Sequence, residues 1–151
     1  MSVCTFFAAD HSLPLVCPPQ DFPLEINVDT GVIYDGGADE NFRLLSFPDV
    51  SVYTNKCYGV QLEWQYTPGR AHRIISYIQD ALQHTDVVEL WHIWLLDWWE
   101  YEDRPVVHSR IISISELTAE DIKSLDNAPI WDMPDKRNPE RPSFRRITIT
   151  R

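Results

Sequence analysis

Asp97 and His108 are the pair in this chain whose types best suit acid–base work, because a carboxylate can orient an imidazole that moves a proton near neutral pH. They meet only if the two segments carrying them form a hairpin, and catalysis would further need a pocket and a third polar group. The plain alternative is an ordinary cross-strand polar pair. Asp29-Thr30-Gly31 matches the core triplet of aspartic proteases, whose chemistry needs two carboxylates sharing a proton. Val32 stands where those enzymes carry a small residue, and no later element supports the loop, so a hairpin turn is expected here. Cys57 lies in no nucleophile motif and reads as a buried structural thiol. His11, His72, His84, His92 and His108 form neither HxH nor HExxH and have no companion cysteine pair, so no metal ligand set and no cofactor is expected. His92, between Trp91 and Ile93, reads as a packed histidine that hydrogen-bonds a neighbour. Gly36-Gly37 is a turn, because no phosphate-loop pattern follows it.

A surface feature competes with these. Asp97, Trp98, Trp99, Glu100, Tyr101, Glu102 and Asp103 follow one another at the end of the richest aromatic run, residues 87–101, which holds four of the six tryptophans. Consecutive residues of a strand point to opposite faces, so Trp98 and Trp99 are both buried only if each side is covered. One of them, or Tyr101, is therefore expected to lie partly exposed among carboxylates. Exposed aromatic residues amid charge resemble protein-binding hot spots, and the acids would steer a basic partner.

These residues need a scaffold to present them. Residues 87–101 read as a central strand, since aromatic and β-branched residues suit a pleated surface buried on both sides. A continuous apolar run also fits a helix; the helix pattern just before it and the branched run just after favour the strand. Residues 106–115 are expected to return antiparallel, with Trp99 beside Val106, Asp97 beside His108, Ile93 beside Ile112 and Trp91 beside Ile114. Residues 3–9 read as an interior strand, and prolines 14, 18 and 19 make the crossing after it irregular. Leu24, Ile26 and Val28 alternate, and Gly31 supplies the left-handed position of a hairpin into 32–34. Further strands are expected at 41–47, 51–54, 56–64 and 144–151, the last at a sheet edge because of its arginines.

The helical pattern is clearest over 68–83. Thr67 suits the N-cap and Pro68 the first helical position, while Ala71, Ile74, Ile75, Ile78 and Leu82 recur as one apolar stripe. Thr118-Ala119-Glu120-Asp121 opens a shorter helix with a capping-box pattern. The expected fold is α+β: one domain over residues 1–151, a mostly antiparallel twisted sheet of six or more strands, the 68–83 helix on one face and a short second helix.

Composition narrows the function classes. A 44% hydrophobic and 12% aromatic content suits a folded globule. The net charge of −10 is uneven: residues 1–103 carry −12 and residues 104–151 carry +2. The acidic two thirds would repel a phosphate backbone, which argues against nucleic acid as a ligand. Three widely spaced cysteines (Cys4, Cys17, Cys57) point to reduced thiols in the cytoplasm. No basic n-region marks a secretory signal, and no apolar stretch reaches the roughly 18–20 residues of a membrane span.

The segments Cys4–Asp10, Tyr66–Ala71, Leu90–Leu95 and Glu116–Asp121 together resemble a family of small uncharacterised bacterial proteins, chiefly of Firmicutes. The resemblance covers most of the chain and implies a bacterial, cytosolic single domain, with no activity or site residue attached. The favoured functional reading is a non-enzymatic domain that binds a basic protein through residues 97–103, such as an inhibitor or immunity protein for a nuclease-type toxin. The alternative is a small hydrolase-like enzyme using Asp97 and His108.

Overall fold

The structure, a computed structural model, describes residues 3–17, 25–34, 41–95, 104–132, 137–138 and 140–151. Among the described residues, six strands form one sheet in the order β4-β5-β1-β6-β8-β7, where β1 is Val3–Ala9, β4 Arg43–Ser46, β5 Tyr58–Glu63, β6 Val87–Trp94, β7 Val107–Ser113 and β8 Phe144–Thr150. A separate hairpin pairs β2 (Glu25–Asn27) with β3 (Val32–Tyr34). Gly31 takes a φ of 67° in its turn, and its N–H donates to Asn27 O; this left-handed backbone is why a glycine stands there. Asp29-Thr30-Gly31 is thus the expected turn. The α+β architecture, with a mixed and mostly antiparallel sheet and two substantial helices against it, matches the expectation from the sequence.

β1 and β6 occupy the middle, and alternation divides their side chains between two apolar layers. On one face Phe7, Val60, Leu62, Val88, Leu90, Ile147 and Ile149 meet Ile74, Ile78 and Leu82 of α2 (Pro68–Ala81) and Ile122 and Leu125 of α3 (Ala119–Asp126). Fully burying one such aliphatic side chain contributes about 1.5–3 kcal/mol, so this layer holds both helices in place. Thr67 caps α2 by accepting from Arg70 N, with Pro68 at the first position. Thr118 and Asp121 cap α3 reciprocally, Thr118 Oγ1 accepting from Asp121 N and Asp121 Oδ2 accepting from Thr118 N.

The opposite face is aromatic. Phe6 stacks on Phe47 and Trp91, with Tyr53 and Phe144 closing the cluster. Its lid is a single helical turn, α1 (Val50–Tyr53), where the sequence led us to expect a strand over 51–54. The turn is held by packing: Val50 is buried directly over Gly59, whose missing side chain leaves room for it.

Two further expectations are corrected. β7 does not return beside β6; β8 lies between them, antiparallel to β6 and parallel to β7. Trp91 is therefore opposite Arg146, Ile93 opposite Phe144 and Ile112 opposite Ile149. A parallel pair needs a crossover rather than a tight turn, and α3 provides it between β7 and β8. The 144–150 strand is accordingly interior, and the sheet edges are β4 and β7. Among the described residues no helix is long and apolar enough to cross a membrane.

Candidate functional site

β6 carries His92 at its C-terminal end, on the helix-covered face that Val88 and Leu90 also line. Its register partner on β1 is Thr5, and Thr5 Oγ1 lies 2.9 Å from His92 Nδ1. His92 is 5% exposed, the only one of the five histidines that is buried, while Thr5 is half-buried in front of it. Asp126, the last residue of α3, supplies a carboxylate to the same neighbourhood. Its Oδ1 accepts the indole N–H of Trp64 at 3.3 Å, which ties the end of α3 to the residue just after β5. On the far side, Arg145 of β8 is the register partner of His92.

The electrostatics follow from these neighbours. Burial disfavours the charged imidazolium and pushes the His92 pKa below its ordinary value; Asp126 pulls it up, and Arg145 pushes it down again. Burial and Arg145 prevail over the carboxylate. His92 is therefore a neutral imidazole at physiological pH, able to accept a proton from the hydroxyl it touches. Hydroxyl, imidazole and carboxylate grouped in this way are the components of a nucleophile–base–acid triad.

This grouping overturns the reading of the chain as a non-enzymatic binding or immunity protein. The finding that favours an enzyme is the half-buried Thr5 hydroxyl on a neutral imidazole whose charge the Asp126 carboxylate also influences. The residues proposed for partner binding, Asp97, Trp98, Trp99, Glu100, Tyr101, Glu102 and Asp103, lie outside the described residues. So does Asp97 as the proposed companion of His108; His108 itself stands on β7, half-buried, with Arg145 as its register partner. His92 is the packed, hydrogen-bonded histidine that the sequence suggested, with Thr5 as the neighbour. Cys57 is exposed rather than buried; the buried thiol is Cys4, whose pKa burial, helped by Glu63, pushes up to about 12. Among the described residues no three His, Cys, Asp or Glu side chains group so as to hold a metal ion.

Comparison with protein-family models, curated proteins and solved structures gives no match. The site therefore rests on its own geometry.

A second polar cluster lies on the aromatic face. Glu89 is 5% exposed, and its Oε2 accepts from Thr54 Oγ1 at 2.6 Å and from Trp91 Nε1 at 2.8 Å. Arg146 reaches Oε1 at 3.5 Å and lies over the Trp91 ring. Both carboxylate oxygens are occupied, which marks this cluster as a clamp between α1, β6 and β8.

Proposed function

We propose that this chain is a small hydrolase-like enzyme in which the histidine–carboxylate pair is His92 and Asp126 and the nucleophile is the Thr5 hydroxyl. The observation that carries the reading is the 2.9 Å contact between Thr5 Oγ1 and His92 Nδ1 at an imidazole that burial keeps neutral. In the tautomer with hydrogen on Nε2, Nδ1 accepts the Thr5 proton as Oγ1 attacks an ester or amide carbonyl. The imidazolium that forms is stabilised by Asp126 and returns its proton to the leaving group. Water, deprotonated in turn by His92, then cleaves the acyl–threonine ester and restores the hydroxyl. We also place the protein in the cytoplasm, a location supported by three unpaired cysteines.

The test is a panel of chromogenic esters and amides assayed with the wild type, Thr5→Val, Thr5→Ser and His92→Asn. Loss of turnover by roughly 10²–10⁴-fold in Thr5→Val and His92→Asn, the usual contribution of a positioned base, is expected, with Thr5→Ser retaining activity. A Thr5→Val protein that turns over at the wild-type rate removes the hydroxyl from the mechanism.

A further inference from the structure

Three strands bring a row of nitrogen-bearing side chains onto one face of the sheet. Arg145 on β8 is the register partner of His92 on β6 and of His108 on β7, so the order across the sheet is His92, Arg145, His108. Neighbouring strands lie about 4.8 Å apart, which makes Arg145 the adjacent group on both sides. Beyond the buried His92 end, this row opens into a cleft of about 240 Å³ under α3, whose lining includes His108, Arg110, Asp121, Ser124 and Arg145.

The charge in this cleft opposes that of the molecule. The chain carries −10 overall, yet bases converge here, drawn from the one third of the sequence with a positive balance. The carboxylate of Asp121 is already committed: it accepts from Thr118 N and Oγ1 and from Arg110 Nη1, the last at 2.6 Å. Arg145 is anchored through Nε to Pro129 O at 3.3 Å, which leaves its two terminal amino groups as the donors it can offer a ligand. A guanidinium held in this way matches the paired oxygens of a carboxylate or phosphate. The cleft is below the usual volume of a drug-sized pocket, so it suits a small charged group rather than a whole large ligand.

We infer that the cleft under α3 binds the oxyanion of the substrate, a carboxylate or phosphate group, through the Arg145 fork with His108 and Ser124 beside it. The substrate is then an ester or amide bearing an anionic group, whose scissile carbonyl is presented toward Thr5. The substrate part of this inference rests on the hydrolase reading; the anion site does not.

The test is a titration of ¹⁵N-labelled full-length protein with sodium phosphate and, separately, sodium acetate, with sodium chloride at matched ionic strength as reference. Saturable shifts of the Arg145 Nε–H and the Ser124 and Leu125 amides are expected with at least one oxyanion and not with chloride; which salt saturates distinguishes phosphate from carboxylate. Arg145→Met should weaken that binding at least tenfold, and Arg145→Lys should recover part of it. His108→Gln supplies a second variant should Arg145→Met fold poorly, and a severalfold weakening is expected. Oxyanion curves that follow chloride, or unaltered binding in well-folded Arg145→Met or His108→Gln, overturn the inference. Because binding is read without turnover, a protein inactive on every ester that still saturates with phosphate supports the anion site and overturns only the hydrolase reading. Conversely, Thr5-dependent hydrolysis of neutral esters without saturable oxyanion binding overturns the inference and leaves that reading standing.

Discussion

His92 and Glu89 stand on the same strand, on opposite faces, and both are 5% exposed. Their surroundings differ in a way that separates chemistry from architecture. Glu89 is surrounded by donors: Thr54 and Trp91 share one oxygen and Arg146 takes the other, so its charge is already answered. Among the described residues His92 is hydrogen-bonded to a hydroxyl with a proton to give, and its charged form is opposed by burial and by Arg145. A saturated buried ion stabilises one arrangement of the chain, whereas a neutral base on a half-buried hydroxyl retains the capacity to change protonation state. Burial alone therefore does not distinguish the two sites; what remains unsatisfied when the proton moves does.

The sharpest way to break this contrast is to exchange the expected phenotypes. His92→Asn should remove roughly 10²–10⁴-fold of turnover as a lost general base while lowering the melting temperature less than Glu89→Ala does. Glu89→Ala strands the Thr54 and Trp91 donors and the Arg146 guanidinium, and should cost roughly 2–4 kcal/mol in urea unfolding, with turnover per folded molecule retained. If Glu89→Ala instead abolishes turnover at full stability, the two faces have been assigned the wrong way round.

The aromatic face can be loosened without touching a charge. A methyl group at Gly59 would meet Val50 Cβ and Cγ2 at 2.9 Å and Phe47 O at 3.2 Å. The first two atoms belong to a short, branched side chain and the third to backbone, so relief requires α1 to move away from β5. Gly59→Ala should destabilise by about 1–3 kcal/mol, measured by urea unfolding, and leave ester turnover of the folded protein unaltered.

Much of the scaffold was legible because its signals are local. Thr67-Pro68 followed by the Ala71, Ile74, Ile78 stripe specifies α2, and Thr118 with Asp121 specifies the start of α3. The aromatic run gave β6 its central position, since only a doubly covered strand buries Leu90 and Trp91 together. Strand order was not legible. Two apolar runs with a short connection suggest a hairpin, yet the final strand inserts between them, and that choice depends on contacts among residues far apart in sequence. The one local sign was α3 itself, since a helix between two strands is what a parallel pair requires. The arginines of β8 suggested an edge because an interior strand rarely carries them; here Arg146 crosses the Trp91 ring to the Glu89 carboxylate and Arg145 reaches Pro129 O, so each finds a polar partner away from the strand. The site was hidden for the same reason. Thr5 and His92 are 87 residues apart and share no motif, so only the β1–β6 register brings them together.

The pH dependence of turnover sharpens the His92 side. Only the neutral imidazole accepts a proton, and burial, with Arg145, holds its pKa below the ordinary 6.5. The acid limb of kcat/KM should therefore fall below pH 6.5. Asp126→Asn removes the group that raises the pKa and should move that limb to lower pH; Arg145→Met removes one that lowers it and should move the limb to higher pH. Stability follows the same proton. Below pH 6.5 the unfolded chain binds it first, so the contribution of neutral His92 is whole above that pH and is lost as pH falls through the window beneath it. Limbs that move in the same direction in both variants would show that His92 is not the titrating base.

The smallest expected effect joins the site to its support. Asp126 is positioned by α3, whose first turn is closed by Thr118 and Asp121. Burial opposes ionisation of Asp121, but bonds from Thr118 and Arg110 outweigh it and hold the carboxyl below the usual carboxylate range. Thr118→Ala removes the hydroxyl that both accepts from Asp121 N and donates to Asp121 Oδ2, and should cost about 1 kcal/mol of stability. Because the Asp121 pKa is depressed on folding, its contribution is present above the unfolded value of 3.8 and is lost as pH falls through the folded one. In Thr118→Ala the shift shrinks, so the stability gap between variant and wild type should be widest near neutral pH and narrow in acid. Turnover should fall far less than in His92→Asn, since Leu125 in the core and the Trp64 indole on Asp126 still hold the other end of the helix. A loss of turnover matching His92→Asn would mean that Asp126 is positioned by the cap rather than by the core and Trp64, and that the carboxylate end of the site is softer than its hydroxyl end.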